Sequence, residues 1–443
     1  MPEDFTHRQQ QTLARVRRRL IPFCFVCYVV AYIDRVNIGF AATELQRDLG
    51  LSPTAYGVGA GLFFLAYCLF EIPSNLALEQ VGARRWIARI LIGWGLVSMA
   101  TLFVRDTWSF MAARVLLGFA EAGFFPGVVL YLTYWVPAAD RAQTGAWFMM
   151  AAPIAVIVGA PMSEALLALE GTLGLRGWQW LFLVEGFPAV LLGLLALVVL
   201  TDRPEQASWL LPEDRDWLAR TMAAEQAQRQ AVGYSSLRAT FSSGRVWLLS
   251  SILFMNSLVT YGIFLWLPKM LRDASGMEGF ALSSLTSIPF VAALVAMVVV
   301  GRHSDRTGER KLHVAACAAT AALGLVLAMA SQGSLWLLVI SFTLSQMAQR
   351  ALVGVFWTLP PIFLGGTAAA AGIGLINAVG NLGGFVGPAA VGALKDATGS
   401  YNSGLAVFVA ALVIEAVLVL SLRLPDAHPV VADDIRRSVR GTT

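Results

Sequence analysis

The chain has 443 residues, of which 57% are hydrophobic and only 14% are charged, and its mean hydropathy is +0.67. Soluble domains carry roughly 25% charged residues, so this composition excludes an ordinary soluble protein and indicates a membrane protein. The net charge of +4 does not require a nucleic-acid partner, because membrane proteins concentrate basic residues on one side of the bilayer.

Apolar runs of about 20 residues, long enough to cross a bilayer as helices, recur along the whole chain. We predict twelve, at about 20–42, 55–78, 86–104, 109–135, 142–168, 178–201, 246–270, 280–301, 312–331, 335–362, 367–394 and 402–423. The predicted fold is an all-α membrane protein in which these helices form two six-helix bundles. The N-terminal bundle covers 1–201, a linker covers 202–245, and the C-terminal bundle with its tail covers 246–443.

The orientation follows from the basic residues. Most of the 32 lysines and arginines lie in the N-terminal tail, the linker, the C-terminal tail and the loops on the same side of the membrane. Cytoplasmic loops carry this excess of basic residues, so we expect both termini in the cytoplasm. Within the linker, Pro212 and two acids precede Trp217 and Leu218 at helical spacing, which predicts an amphipathic helix on the cytoplasmic surface.

Charged residues interrupt several of the apolar runs in the N-terminal half, most clearly the first and the fourth. Asp34 and Arg35 lie in the first run, and Arg114 and Glu121 share one helix face in the fourth. Each charge at a helix centre costs roughly 2.5–3.5 kcal/mol on insertion scales, so such residues usually serve a function. The alternative is structural: these residues tie the first and fourth spans together.

The four charges have the chemistry that an organic anion needs inside a bilayer. Arginine binds carboxylates through parallel N–H groups, so Arg35 and Arg114 are the candidate anion sites. An anion that engages an arginine weakens its hold on a neighbouring acid, which can then take up a proton. Asp34 and Glu121 are therefore the candidate proton carriers, and the anion and proton would bind and leave together. Either one or two protons per cycle is compatible with two acids.

A short polar motif occurs at the same place in each half, between the second and third spans of that half. Acid, glycine and a basic pair align in both copies, which predicts a cytoplasmic gate. The candidate gate residues are Glu79, Arg85, Asp305, Arg306 and Arg310.

The second copy fits the G-x-x-x-D-R-x-G-x-R-K loop signature of the major facilitator superfamily. Segments 32–40, 118–126, 201–210, 356–360 and 377–385 resemble the anion:cation symporter branch of that superfamily. The resemblance covers nearly the whole chain. It implies two bundles that rock around a central cavity, and a permease for tartrate, phthalate or sugar acids that is usually proton-coupled. In members similar to galactonate permease, the acids matching Asp34 and Glu121 couple protons.

The resemblance also implies which further residues face the substrate: Tyr32, Tyr67, Trp357, Asn377 and Asn381. For the two asparagines, hydrogen bonds between helices are the alternative. For Trp357, the alternative is an anchor at the membrane interface.

Two positions depart from the branch. Ala152 replaces a glutamine found in galactonate-like members, which favours a less hydroxylated substrate. Arg350 lies where we expect a small or apolar residue. We predict that it anchors a second carboxylate, and the alternative is pairing within its own bundle.

We predict a secondary active transporter of a bacterial inner membrane that takes up a small organic acid anion with protons by alternating access. Tartrate, a sugar acid or an aromatic carboxylate would each fit. The alternative is an organic anion exchanger or exporter, since Gly159-Ala-Pro161 is a fragment of a motif common in antiporters. We expect no enzyme activity, cofactor or metal, because the four histidines lie in tails or loops, with His313 at the very start of the ninth predicted span. The expected partners are the anion, protons and lipid, with no nucleic acid, and we expect a monomer.

Overall fold

The computed structural model describes residues 2–137, 145, 148–231, 242–331, 334–363 and 366–423, and the regular secondary structure in these ranges is helical. The helices are α1 (Pro2–Phe40), α2 (Ala42–Leu49), α3 (Pro53–Val81), α4 (Ala83–Ala100), α5 (Thr107–Glu121), α6 (Phe124–Thr133), α7 (Ala151–Leu167), α8 (Gly177–Val199), α9 (Pro212–Ala231), α10 (Gly244–Ser275), α11 (Gly279–Thr307), α12 (Arg310–Ala330), α13 (Leu335–Phe356), α14 (Pro360–Phe363), α15 (Gly366–Thr398) and α16 (Asn402–Ser421). Short 3₁₀ turns cover Thr101–Phe103, Thr172–Gly174 and Pro204–Gln206.

The predicted all-helical membrane fold is confirmed. In the described ranges, eleven segments are long and apolar enough to cross a membrane, and α7 is a shorter apolar helix inside the predicted fifth span. Residues 138–144, 146 and 147 of that region lie outside the described residues. Helix α9 begins where the linker helix was expected, while residues 232–241 of the linker lie outside the described ranges.

Local sequence signals explain where several helices begin and end. Ser52 accepts a hydrogen bond from the backbone N–H of Ala55, and Pro53 occupies the first turn of α3, both of which favour a helix start. Asp106 and Ser109 form a reciprocal capping box at the start of α5. These caps satisfy backbone donors that the bilayer cannot satisfy.

The fourth predicted span is not one continuous helix. It breaks between α5 and α6 at Gly123, whose φ of 83° lies in the left-handed region. A Cβ at this position would overlap the side chain of Ser74 in α3, so only glycine fits the close approach. The break follows directly after Glu121, the last residue of α5. The carboxylate of Glu121 therefore lies at a helix end rather than in a helix interior.

The helices form two groups that meet along three seams. In the N-terminal half α4 packs on α8, α3 on α5 and α1 on α7, while in the C-terminal half α10 packs on α15, α12 on α13 and α12 on α16. The halves meet where α3 packs on α15, α7 on α11 and α1 on α10. Any group that lies between these helices is shared by the two halves.

The two halves are in tight contact at the end of the molecule where α1 and α10 end and α3 begins, which we call the closed end. A Cβ on Gly57 of α3 would overlap the carbonyl oxygen of Pro388 in α15, and one on Gly61 would lie 2.7 Å from the carbonyl oxygen of Phe385. Such distances leave no room for a side chain at either of these two positions.

Ion pairs reinforce the closed end. Arg272 of α10 contacts Glu44 of α2 at 2.6 Å and Glu164 of α7 at 3.2 Å, so one guanidinium joins the C-terminal half to two helices of the N-terminal half. Glu164 also accepts a hydrogen bond from the backbone N–H of Gly279, at the start of α11. The contacts are largely buried, so salt screens them less than surface pairs.

The opposite end of the molecule is held differently. The start of α1 docks on α9 through Arg8 and Arg15, whose guanidiniums contact Asp214 at 2.8 and 3.3 Å. Leu218 of α9 is fully buried. Helix α9 is therefore packed against the protein through one face and is not a free segment.

Candidate functional site

A buried salt bridge joins the first and fourth predicted spans. Arg35 of α1 contacts Glu121 of α5 through Nη2 and Oε1, and both side chains are buried. Three aromatic rings surround the guanidinium: its Cζ lies 5.5 Å from the ring centre of Tyr32 and 5.3 Å from those of Phe63 and Tyr67. A cation over aromatic faces gains electrostatic stabilisation that partly replaces lost hydration.

Asp34, the neighbour of Arg35, turns to a different set of partners. Its Oδ1 accepts hydrogen bonds from the hydroxyl of Ser98 in α4 and from Nδ2 of Asn37, the latter at 3.0 Å. Its Oδ2 has no hydrogen-bond partner in the described part of the chain, although the residue is only 1% exposed. The carboxyl is thus held by neutral groups alone, and no cation lies within 4.0 Å of it among the described residues.

Arg114 carries an unsatisfied positive charge. Its side chain is 2% exposed, yet Nε, Nη1 and Nη2 find no hydrogen-bond partner within the described ranges. The guanidinium lies 5.0 Å from the ring centre of Phe63, and the charged groups acting on it are Asp34, Glu121 and Arg35. Buried donors are rarely left unpaired, and a buried charge needs a partner. This geometry fits an anion that binds Arg114.

Arg350 faces the N-terminal half of the molecule. Its guanidinium lies 5.6 and 5.7 Å from the ring centres of Phe264 and Phe290 and against the hydroxyl of Tyr32. Tyr32 is also a neighbour of Arg35, so one tyrosine stands between an arginine of each half. No carboxylate lies within 4.0 Å of Arg350 among the described side chains, while Phe264 and Phe290 belong to its own half, as the alternative of pairing within its bundle also predicts.

The two predicted asparagines face an acid of the other half. Asn377 donates a hydrogen bond from Nδ2 to Oε1 of Glu71 at 2.7 Å, and the amide of Asn381 also faces this carboxyl. Glu71 lies one turn after Tyr67 on α3, whereas the asparagines lie on α15. In this state the amides join the two halves. Any contact with substrate would require Asn377 to exchange this partner.

Trp357 does not lie within a helix. It directly follows Phe356, the last residue of α13, it is half-buried, and its ring packs on that of Phe356 with centroids 5.5 Å apart. The predicted tenth span, 335–362, is instead divided into α13 and the short α14. The structure does not bring Trp357 into the group formed by Asp34, Arg35, Arg114 and Glu121.

The predicted gate residues pair within one half or face outward. Arg310 contacts Asp305 at 2.6 Å, while Arg306, Glu79 and Arg85 are exposed. The first copy of the motif is bound by Asp202, whose Oδ1 accepts a hydrogen bond of 2.7 Å from the backbone N–H of Arg84. A carboxylate at the start of α4 complements the helix dipole. Sequence reasoning missed this role because Asp202 is distant in the chain.

Sequence reasoning also missed several buried polar residues around the charged group. The set comprises Asn37, Ser98, Ser163 and Glu185. Glu185 was detectable, because a carboxyl interrupts the apolar run 178–201 just as Asp34 interrupts the first run. The others were not, since serine and asparagine are common in membrane helices and their partners lie on other helices.

Known proteins share this fold and much of this sequence. The sequence model of the Major Facilitator Superfamily matches residues 24–388 and 274–439. A protein of Agrobacterium vitis provisionally named a tartrate transporter is 46% identical over 94% of this chain and 92% of its own. A quinolone resistance transporter of Acinetobacter baumannii is 39% identical over 90% of this chain and 91% of its own.

A solved structure supports the same fold. The inward-open xylose transporter XylE of E. coli aligns with a TM-score of 0.75 at 15% identity, over 92% of this chain and 97% of that one. At this identity the likeness concerns the fold alone. The family assignment rests on the sequence match and on the bacterial relatives, which span nearly the same length. The chain thus belongs to the major facilitator superfamily, and it is a multi-pass inner-membrane transporter rather than an enzyme.

Proposed function

We propose that this protein takes up a small organic acid anion together with protons, by alternating access. The observation that carries the proposal is Arg114, a buried guanidinium whose N–H groups have no partner in the described structure. A carboxylate can accept two of these N–H groups in parallel, which makes it the best-matched ligand. Tartrate, the substrate in the name of the relative from Agrobacterium vitis, is an anion of this class.

The coupling would arise from competition for the same arginines. Glu121 is held by Arg35, and the charge of Asp34 acts on Arg114. An anion that enters and binds a guanidinium takes charge stabilisation from one of these acids. A carboxylate that loses its cation in a low-dielectric site is better tolerated when protonated. The proton and the anion would then bind as a pair, and each would leave when the other leaves.

Arginines in both halves favour an anion with two carboxylates. Arg35 and Arg114 belong to the N-terminal half, whereas Arg350 approaches the same region from the C-terminal half across Tyr32. A dicarboxylate that contacts both sides would draw the halves together around it. Ala152, buried in α7, offers no hydrogen bond, which suits a substrate with few hydroxyl groups.

We also propose that both termini lie in the cytoplasm and that the protein acts as a monomer. The basic residues of the tails and linker support this orientation. The closed end would then face the outside. The ion pairs of Arg272 would form the outer gate in this state, and the loops of Glu79, Arg85, Asp305, Arg306 and Arg310 would form the inner gate in the opposite state.

Export or exchange is the second candidate function. The relative from Acinetobacter baumannii is named a quinolone resistance transporter, a name that does not describe the uptake of an organic acid. The arginines would bind an anion in either direction. The direction of net transport under a proton gradient distinguishes the two candidates.

The test is uptake into proteoliposomes from a panel of labelled acids, with the pH gradient and the membrane potential set separately. We expect an inward proton gradient to drive accumulation of an organic acid. Accumulation of no acid in the panel would refute the proposal. Movement of the acid in the direction opposite to the proton flow would favour an exchanger or exporter.

Replacing Arg350 by alanine tests the substrate class. Loss of one charged contact costs about 1.5–3 kcal/mol, so the KM for dicarboxylates is expected to rise about 10- to 100-fold. Uptake of matched monocarboxylates should change little, because Arg114 and Arg35 remain. Competition assays with pairs of acids that differ by one carboxylate provide the measurement. Equal effects on both members of a pair would show that Arg350 does not bind the second carboxylate.

A further inference from the structure

A third acid is buried close to Asp34 and has no role in the mechanism described so far. Glu185 lies in α8 and is 2% exposed. Its Oε1 accepts a hydrogen bond of 2.8 Å from Ser163 in α7, and its Oε2 has no hydrogen-bond partner in the described structure. A carboxyl in the interior of a membrane protein is costly and usually functional.

Asn37 connects Glu185 to Asp34. This side chain is fully buried, donates from Nδ2 to Oδ1 of Asp34 at 3.0 Å, and also faces the carboxyl of Glu185. Helices α1, α4 and α7 all pack near α8, and they contribute Asp34, Ser98 and Ser163. Of the charged groups on these helices that the structure describes, Asp34 is the one that acts on Glu185.

The cluster holds more acceptors than donors. Three buried oxygens have no donor within the described residues: Oδ2 of Asp34, Oδ1 of Asn37 and Oε2 of Glu185. No cation lies within 4.0 Å of either carboxyl in that part of the chain. Two ionised carboxylates on either side of one amide would repel each other in a region without water. One added proton removes a negative charge and turns an acceptor into a donor.

We propose that Glu185 is a proton-binding residue of the transport cycle and that it shares one proton with Asp34 across Asn37. The inference rests on the proposed proton coupling and extends it to a site in α8. Arg114 links this cluster to the anion, because its charge acts on Asp34. An anion that binds Arg114 removes that stabilisation from Asp34. The pair of acids then takes up a proton, and it releases the proton when the anion leaves.

Replacing Glu185 by glutamine tests the shared proton through the pH profile of transport. Glutamine keeps the acceptor for Ser163 but removes the second carboxyl that, in this proposal, shares the proton with Asp34. The pH at which uptake is half-maximal should therefore move to lower pH by about one unit, while counterflow exchange at low pH persists. Glu415→Gln is the matched control, because Glu415 is fully buried in the other half, and its profile should stay unchanged.

A second measurement does not depend on transport. Infrared difference spectra of the purified protein between high and low pH record the C=O band of protonated carboxyls. We expect Glu185→Gln to remove part of this band and to shift the titration of the remainder to lower pH. Unchanged titration and an unchanged pH profile in Glu185→Gln, with proton-driven uptake intact in the native protein, would overturn this inference alone. Absence of proton-driven uptake in the native protein would overturn the proposed function as well.

Discussion

Replacing Asp34 by asparagine is expected to abolish proton-driven accumulation and to leave counterflow exchange in place. Asparagine has the shape of aspartate and can still accept the hydrogen bond of Ser98 through its oxygen. It cannot gain or lose a proton. Exchange of labelled for unlabelled substrate needs no net proton movement, whereas accumulation does. The variant should therefore separate the two activities, which a loss of folding would not do.

The size of the effect follows from the driving force. A gradient of about two pH units corresponds to about 2.7 kcal/mol per proton, or about hundredfold accumulation of a monoanion that moves with one proton. In Asp34→Asn the ratio of internal to external substrate should fall to about one. Labelled-substrate uptake at fixed gradient gives the ratio, and Glu415→Gln serves as the control for a lost membrane carboxyl. Equal loss of accumulation and exchange would assign Asp34 a structural role only.

The membrane fold could be predicted from the sequence because the bilayer imposes helix length and composition. An apolar segment such as 178–201 must form a helix in the bilayer, because its backbone N–H and C=O groups find no water there and must bond to each other. The break at Gly123 could not be predicted in the same way. Glycine is common in membrane helices, and what requires it here is the side chain of Ser74 on a different helix.

The charged residues of the candidate site could also be predicted from the sequence, because each of them interrupts an apolar run. Their pairing was not visible. Arg114 and Glu121 share a helix face in the sequence pattern, yet Glu121 pairs with Arg35 from α1, and Arg114 remains unpaired within the described ranges. The pairing depends on how α1 and α5 are rotated about their axes, which neutral side chains at other positions decide.

The contacts across the two halves were the least accessible to sequence reasoning. Glu71 was not predicted as a site residue, yet it accepts a hydrogen bond from Asn377 of the other half. The same holds for Arg272, which joins the halves at the closed end through Glu44 and Glu164. Such residues make no local pattern, because each is paired with a residue more than 100 positions away. They are the residues that must separate when the halves rock.

Alternating access requires the closed end to open and shut, and Gly57 offers a way to hold it open. A Cβ at this position would overlap the carbonyl oxygen of Pro388 on the other half. Backbone cannot move aside as a flexible side chain does, so Gly57→Ala should push α3 away from α15. Overpacking of this kind costs about 1–3 kcal/mol, which shifts an equilibrium between two states about 5- to 150-fold. Net uptake should fall by a similar factor.

Distances between spin labels at Arg105 and Met277, exposed positions at the closed end of the two halves, report the shift directly. We expect the distance distribution of Gly57→Ala to move to longer values. Gly387→Ala creates a comparable overlap with Leu258, but both residues belong to the C-terminal half, so it should lower thermal stability without lengthening the distance. Gly301→Ala, with open space around the added Cβ, should change neither quantity. A short distance together with full transport in Gly57→Ala would mean that closure does not depend on the approach of α3 to α15.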